Sequence, residues 1–253
     1  MPKGLFKYFG AEADKLERFV NGQVYLTPPK YFNDPWDFMV LSEPPEEILD
    51  SQHPWLSPSS RAEILARMST AHVLHEVSGE LQNRYSQFFG VVCLNQLPLD
   101  RLMWAHYGES HHGFVAEFTR SDVDEQDGFQ CAMTPFGAAL KVKYLSSEKV
   151  LKGDCSNGLE VTNTKNTCWT YEQEWRVTRP LLEGIPHPSK KGYVLLPFQP
   201  SQLVRIVLGL RATNDVRSGL REMLDGKEYK NVIRETVIID PNTRELISSA
   251  STW

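Results

Sequence analysis

Short stretches rich in apolar residues recur along the chain, with alternation of apolar and polar residues over 113–118 and 140–145, and this pattern is typical of β-strands. We expect strands over residues 5–9, 23–27, 88–94, 113–118, 140–145, 193–198, 203–208 and 233–239. Successive side chains of a strand point to opposite faces of its sheet. The pattern therefore predicts a protein that is rich in sheet.

Apolar residues at helical spacing interrupt the strands at three places. Residues 11–21 carry apolar side chains on one helical face, and Gly22 supplies a C-terminal stop. Residues 99–107 predict a short helix, and residues 214–224 predict a helix capped by Asn214.

A longer helical pattern follows a loop rich in proline, serine and acidic residues. Ser60 and Glu63 have the spacing of a capping box, and apolar residues then recur at helical spacing up to Tyr85. We interpret residues 43–87 as a helical insertion within one domain that spans residues 1–253. The predicted fold class is α+β, with a mixed, mostly antiparallel sheet and helices clustered early and late.

Composition narrows the classes of protein to which this chain can belong. The chain has 253 residues, 41% hydrophobic residues and a net charge of −5, which disfavours broad electrostatic capture of nucleic acid but leaves room for a local basic patch. Four widely spaced cysteines indicate neither a disulfide framework nor a structural zinc site. Without an apolar stretch of membrane-spanning length or a signal-peptide pattern, we expect a soluble, cytoplasmic protein that does not enter membranes.

The run from Cys168 to Val177 contains the most informative chemistry. Glu172 and Glu174 stand two residues apart, and Arg176 follows. In a strand both carboxylates would project from one face, where they would repel each other and at least one pKa would rise. A strand with a solvated acidic face is the simpler interpretation of this run, and a catalytic pair is the alternative.

Two further clusters mix aromatic side chains with groups that transfer protons or hold charge. One spans residues 32–37 and the other residues 103–113. Each cluster alone is typical of a turn that closes a sheet, but the three together favour a shared pocket. We predict that the substrate-binding residues of this pocket are Asp34, Trp36, His106 and Trp169.

The order of these motifs resembles a widespread bacterial family known only as a domain of unknown function (number twenty-nine seventy-one). The resemblance covers roughly residues 5 to 240, outside the helical insertion. It is carried by Leu5-Phe6-Lys7-Tyr8, Phe32-Asn33-Asp34-Pro35-Trp36-Asp37, Met103-Trp104-x-His106-Tyr107-Gly108, His112-Gly113, Trp169-x-Tyr171-Glu172-x-Glu174-Trp175-Arg176 and Ile206-Val207-Leu208-Gly209. The family implies a context in bacterial anti-phage defence, or a toxin-like role, but no activity.

A more distant resemblance is to ADP-ribosyltransferases, which use NAD as a substrate. In that superfamily an early strand, a middle aromatic residue and a late Glu-x-Glu strand form a split-sheet site. The resemblance implies that Glu174 and Glu172 are catalytic. It also implies that NAD is bound by Lys7, Tyr8, Trp104, Tyr107 and Arg176. Lys7 and Tyr8 stand where the family has Arg or His.

This resemblance implies a reaction in which the nicotinamide–ribose bond breaks and positive charge builds on the ribose carbon. A carboxylate beside the ribose stabilises that charge, a role that we expect for Glu174. Glu172 would orient or deprotonate the acceptor, which is a protein, a nucleic acid or water. The implied partner is a small-molecule nucleotide, and the implied class is a glycosyltransferase.

Two alternatives stay open at the level of sequence. In a metal-dependent nuclease, Mg²⁺ would be held by Asp34, Asp37, Glu172 and Glu174, and Lys165 would contact a phosphate. In a non-catalytic ligand-sensing module, Trp36, Trp104 and Trp169 would line the pocket. We predict no metal-binding residues, and the chain has neither a dinucleotide-binding glycine motif nor a P-loop.

Overall fold

The computed structural model describes residues 4–34, 37, 46, 49–50, 53–68, 71–119, 139–146 and 162–253. Its α-helices are α1 (Ala13–Val20), α2 (Pro58–Met68), α3 (Ala71–Phe88), α4 (Arg101–His106) and α5 (Asn214–Leu224). Its strands are β1 (Gly4–Phe9), β2 (Gln23–Leu26), β3 (Phe89–Asn95), β4 (Phe114–Thr119), β5 (Leu140–Lys141), β6 (Lys143–Leu145), β7 (Thr164–Asn166), β8 (Glu174–Pro180), β9 (Ile185–Pro186), β10 (Val194–Pro197), β11 (Leu203–Leu208), β12 (Ile233–Ile239) and β13 (Leu246–Ala250).

A large sheet organises the described part of the chain. It contains eight strands in the order β13-β12-β11-β4-β1-β3-β8-β5. Strands β11 and β12 are parallel, and the other neighbouring pairs are antiparallel. This confirms the predicted α+β class with a mostly antiparallel mixed sheet, whereas the split-sheet likeness to ADP-ribosyltransferases stays a prediction. Two smaller sheets, β2-β10-β9 and β6-β7, accompany it.

One face of the large sheet packs against α1 and α5 through an aromatic core. Phe19 of α1 is fully buried and makes edge-to-face contacts with Phe9 and Phe114, which stack on each other at 4.7 Å. Burying aromatic rings of this size supplies much of the free energy that holds helix to sheet. The predicted helix over 11–21 is confirmed, and this packing fixes the strand that carries Lys7.

The segment predicted as a long helix contains two helices, α2 and α3, and residues 69–70 between them lie outside the described part. The predicted cap at Ser60 is wrong. Helix α2 begins at Pro58, and the Ser60 N–H donates to the Ser57 Oγ at 3.1 Å, so Ser57 caps the helix. Likewise, Thr213 and not Asn214 caps α5, because its side chain accepts from the Val216 N–H. Within the described residues no helix has both the length and the apolar character needed to cross a membrane.

The predicted strand over 140–145 is divided. Strand β5 pairs with β8 in the large sheet, and β6 pairs with β7 in a separate two-stranded sheet. Between them, the Val142 N–H donates to the Glu174 carbonyl oxygen at 2.9 Å. The division brings β7, and with it Lys165, next to the beginning of β8.

Candidate functional site

The run from Cys168 to Val177 is not a continuous strand, so the predicted geometry of its two glutamates is wrong. Residues Thr167–Glu172 form a 3-10 helix, and β8 begins at Glu174. Gln173 between them has a φ of 44°, in the left-handed region that non-glycine residues seldom adopt. The two carboxylates therefore arrive from different elements, and they converge because a third side chain bridges them.

That third side chain is Lys165 of β7. Its ammonium nitrogen lies 2.6 Å from Glu172 Oε2, 3.2 Å from Glu174 Oε2 and 3.6 Å from Asp37 Oδ2. Burial disfavours its charge, but the three carboxylates more than compensate and raise the pKa of Lys165 well above its usual value. Lys165 is therefore a charged ammonium enclosed by carboxylates.

Arg176 forms the other cationic centre and is almost completely buried. It donates to both oxygens of Asp37, at 2.8 and 2.6 Å, and to both oxygens of Glu174, at 2.9 and 3.0 Å. It also donates to the Thr162 carbonyl oxygen at 2.9 Å. Such two-pronged bonds fix the planes of both carboxylates. We call Asp37, Lys165, Glu172, Glu174 and Arg176 the charge network.

The network shifts the pKa values of its two glutamates in opposite directions. Burial raises the pKa of Glu172, and the nearby Lys165 only partly offsets this. Burial acts in the same direction on Glu174, but Arg176 and Lys165 overcome it and lower the pKa of that carboxyl to about 2. Glu174 is therefore a permanent anion, whereas Glu172 takes up a proton more readily. Two carboxyls with opposed pKa shifts are a common basis for dividing acid and base roles.

Tyr107 connects the network to the end of α4. Its hydroxyl donates to Glu172 Oε1 at 2.6 Å and accepts from Asn33 Nδ2 at 2.9 Å. Helix α4 starts at a conventional cap, since Asp100 Oδ1 accepts from the Met103 N–H at 2.9 Å, and this fixes where its C-terminal end presents Tyr107. Burial and the adjacent Glu172 carboxylate raise the pKa of Tyr107, so the phenol stays protonated and donates.

The network borders a cavity of about 290 Å³. This volume is at the small end of the range for ligand pockets. The lining residues are Lys7, Tyr8, Lys15, Thr27, Tyr31, Phe32, Asn33, Asp37, Val91, Cys93, Asn95, Met103, Tyr107, Lys165, Glu172 and Glu174. Lysines, tyrosines and carboxylates thus share one concave surface.

Lys7 is the cation on the β1 side of this cavity. Its ammonium donates to the Cys93 carbonyl oxygen at 3.3 Å, and burial lowers its pKa. The neighbouring Tyr8 also lines the cavity, and its hydroxyl donates to the Leu97 carbonyl oxygen at 2.9 Å. Of the predicted catalytic and NAD-binding residues, the cavity brings together Lys7, Tyr8, Tyr107, Glu172 and Glu174.

Arg176 and Trp104, also predicted to bind NAD, lie elsewhere. Arg176 does not line the cavity; it lies behind the carboxylates that it holds and behind the Phe32 ring, which is 5.5 Å from its guanidinium carbon. Trp104 is fully buried in the core, where its indole N–H donates to the Pro98 carbonyl oxygen and its ring stacks on His111 at 5.4 Å. A tryptophan in this position supports the fold of α4 and is not placed to contact a ligand.

The predicted substrate-binding residues are scattered. Asp34 is buried beside the segment that carries Asn33, but it does not line the cavity. His106 is exposed, with its ring centroid 6.4 Å from those of Tyr107 and Tyr171. The Trp169 ring lies 4.8 Å from the Lys165 ammonium and covers it. Trp36 lies outside the described residues.

Sequence reasoning missed the main contribution of two residues. Lys165 entered only as a phosphate contact in the nuclease hypothesis, although its ammonium is the centre of the network. No pattern in the sequence singles out Asn95, yet its side-chain amide donates to the Glu172 carbonyl oxygen at 2.8 Å and ties β3 to the 3-10 helix. The one signal for Lys165 was the excess of acidic residues that needed a cation.

The nuclease hypothesis conflicts with where the ammonium lies. Lys165 occupies the point between the three carboxylates at which a divalent cation would have to bind. Among the residues that the structure describes, no group of three histidine, cysteine, aspartate or glutamate side chains is arranged to hold a metal ion. A metal at this point would have to displace a buried cation.

Comparison with known proteins leaves the activity open. No curated protein matches the chain, and no solved structure matches it. One family does match, over residues 103–177, which is less than a third of the chain but includes Tyr107, Lys165 and both glutamates. This supports the predicted family resemblance, and no comparison supports the one to ADP-ribosyltransferases. The stretch that supplies four of the five residues of the charge network is thus similar to the family described as Protein of unknown function (DUF2971).

Proposed function

We propose that this chain uses NAD as a substrate and breaks its nicotinamide–ribose bond, in the manner of ADP-ribosyltransferases. One observation carries the proposal. Glu172 and Glu174 both line the cavity, both contact the Lys165 ammonium, and have pKa values that are shifted in opposite directions. Pairs of this kind are common at sites of acid–base and glycosyl chemistry.

The charge of the network suits this reaction. Three carboxylates face two cations, so the fully ionised network has an excess of one negative charge. As nicotinamide leaves with the bonding electron pair, the ribose carbon becomes positive. A negative excess beside that carbon stabilises the transition state more than the bound substrate, in which the positive charge lies on the nicotinamide ring; this difference is the requirement for catalysis.

The two glutamates fit separate steps. Glu174 stays ionised and is held in place by Arg176 and Lys165, so it is suited to stabilise the ribose cation. Glu172 has the raised pKa that a general base needs, and its carboxyl is oriented by Tyr107. The acceptor then bonds to the ribose carbon and gives its proton to Glu172.

The cavity would enclose only one end of NAD, because its volume of about 290 Å³ is small for a dinucleotide. The nicotinamide riboside end is the part that must reach Glu172 and Glu174. Lys7, which lines the same cavity from β1, is then available to a phosphate. A role in anti-phage defence, or as a toxin-like effector, rests on the family resemblance alone.

The test is release of free nicotinamide by the purified protein, measured in chelator and again with Mg²⁺. The wild type should release nicotinamide without metal, and Glu174→Gln and Glu172→Gln should each lose at least a hundredfold in rate. Glu63→Gln, which alters an exposed glutamate of α2, is the matched control and should keep the wild-type rate. No release by the wild type, together with no thermal shift on adding NAD, would refute the proposal.

A second candidate function is a non-catalytic module that senses a ligand in the same cavity. One observation favours it: both oxygens of Glu174 already accept hydrogen bonds from Arg176, as expected of a carboxylate that serves the architecture. Such a module would bind a nucleotide without turnover. Binding of NAD by the wild type with no release of nicotinamide would then separate the sensor from the enzyme.

A further inference from the structure

A ladder of aromatic rings and lysines begins at the mouth of the cavity. Tyr31 lines the cavity and stacks on Tyr193, with ring centroids 4.9 Å apart and planes inclined by 6°. Tyr193 in turn makes an edge contact with Tyr25, whose ring stacks on His187. Tyr31 remains 42% exposed, so the end of the ladder nearest the cavity offers aromatic surface to solvent.

Lysine side chains accompany the rings. The Lys30 ammonium lies 4.9 Å from the centre of the Tyr31 ring, and the Lys190 ammonium lies 5.9 Å from that of Tyr193. Lys191 is exposed beside Lys190, and Lys15 lines the cavity. This local basic patch belongs to a chain with a net charge of −5. Aromatic faces with adjacent cations are the usual means of holding a base and its phosphates.

Two acidic residues reduce the charge of the patch. Asp14 accepts from Lys190 at 2.6 Å, and Glu12 is paired with Lys15 at 2.6 Å. Four lysines against these two carboxylates leave an excess of two positive charges. That excess matches a diphosphate, whereas a polynucleotide needs a longer row of cations. The ladder is also well anchored, because His187 Nε2 donates to Asp14 while its Nδ1 accepts from two backbone N–H groups.

We propose that Tyr31 and Tyr193, with Lys30 and Lys190, bind the distal base and diphosphate of a dinucleotide whose first ribose occupies the cavity. The inference rests on the proposed function, and it assigns a binding site to the part of the dinucleotide that lies outside the small cavity. Stacking of the base on Tyr31 displaces the Lys30 ammonium towards the phosphates. Removing the ring should therefore weaken ligands that carry the distal base and leave shorter ligands unaffected.

The test compares ADP, which has the base and both phosphates, with ribose 5-phosphate, which lacks the base, by titration calorimetry. Tyr31→Ala should weaken ADP binding about tenfold, as expected for one lost stacking contact, and leave ribose 5-phosphate unchanged. Tyr31→Phe keeps the ring and should stay within about twofold of the wild type on the same principle. Trp55→Ala removes an aromatic ring that is 73% exposed and contacts His53, outside the ladder, and is the matched control.

Each outcome decides one of the two proposals. Equal ADP affinity in Tyr31→Ala and the wild type would overturn the assignment of the ladder, even if nicotinamide is released from NAD. ADP binding that depends on Tyr31, without nicotinamide release, would support the ladder and refute the proposed reaction. Binding of an eight-nucleotide single strand of thymidine more tightly than ADP, with the same dependence on Tyr31, would assign the ladder to nucleic acid and overturn the dinucleotide.

Discussion

Replacing Lys165 by methionine tests whether its ammonium balances the network. The side chain is buried, and its nitrogen contacts Glu172 and Glu174 directly. Without it, Arg176 alone faces three buried carboxylates, and the negative excess doubles from one charge to two. Removing one partner of a buried ion pair costs about 3–5 kcal/mol. We expect Lys165→Met to lower the free energy of unfolding by that amount at pH 8.

The assay is urea unfolding followed by tryptophan fluorescence, with two comparison variants. Lys141→Met removes an exposed lysine of β5 and should change the free energy of unfolding by less than about 0.5 kcal/mol. The double variant Lys165→Met/Glu172→Gln restores the negative excess to one charge and should recover about half of the loss, since contacting residues are strongly coupled.

The pH dependence of Lys165→Met follows from Glu172. Burial already raises the pKa of this carboxyl above 4.5, and losing Lys165 removes the group that lowers it most. A raised pKa in the folded state means that the penalty is full above that pKa and disappears as the pH falls towards the unfolded value. The loss in Lys165→Met should therefore shrink as the pH falls from 8 towards 4.5. A loss below about 1 kcal/mol at pH 8, or no recovery in the double variant, would refute the balancing role.

Variants at three neighbouring positions test further features of the site. Gln173→Gly should keep or raise the midpoint of thermal unfolding, whereas Gln173→Val should lose about 1–2 kcal/mol, because a β-branched residue resists the left-handed φ of 44°. Tyr107→Phe removes a donor to Glu172, so the acidic limb of the pH–rate profile for nicotinamide release should move to higher pH. Glu174 has a pKa of about 2 in the fold, below its unfolded 4.5, so its stabilisation is complete above pH 4.5 and is lost as the pH falls towards 2. Over this interval the free energy of unfolding should depend less steeply on pH in Glu174→Gln than in the wild type.

Most strands and helices could be predicted because their signals are local. A short apolar run interrupted only by Lys7 predicts β1, and one apolar face predicts α1. Cap positions are harder to predict, since neighbouring Thr213 and Asn214 are both good caps and only the backbone geometry selects between them.

The site was harder to predict because its geometry depends on contacts between distant segments. Gln173 gives no hint of a left-handed φ, and that turn decides how Glu172 is presented. Lys165 stands in a polar stretch of the sequence, and nothing local marks it as buried. The sequence also does not show that Trp104 is buried, with its indole N–H bonded to the Pro98 carbonyl oxygen.

The composition of the network itself favours a role beyond stability. Well-packed apolar side chains of similar volume often stabilise a core as well as a buried ion pair does, or better. If the start of β8 needed only rigidity, apolar side chains could therefore stand in place of the charge network. Moreover, four of its five residues line the cavity, and the fifth, Arg176, holds two of the carboxylates in place. Charges that are both costly to bury and turned towards a cavity are expected where a ligand must be held or transformed.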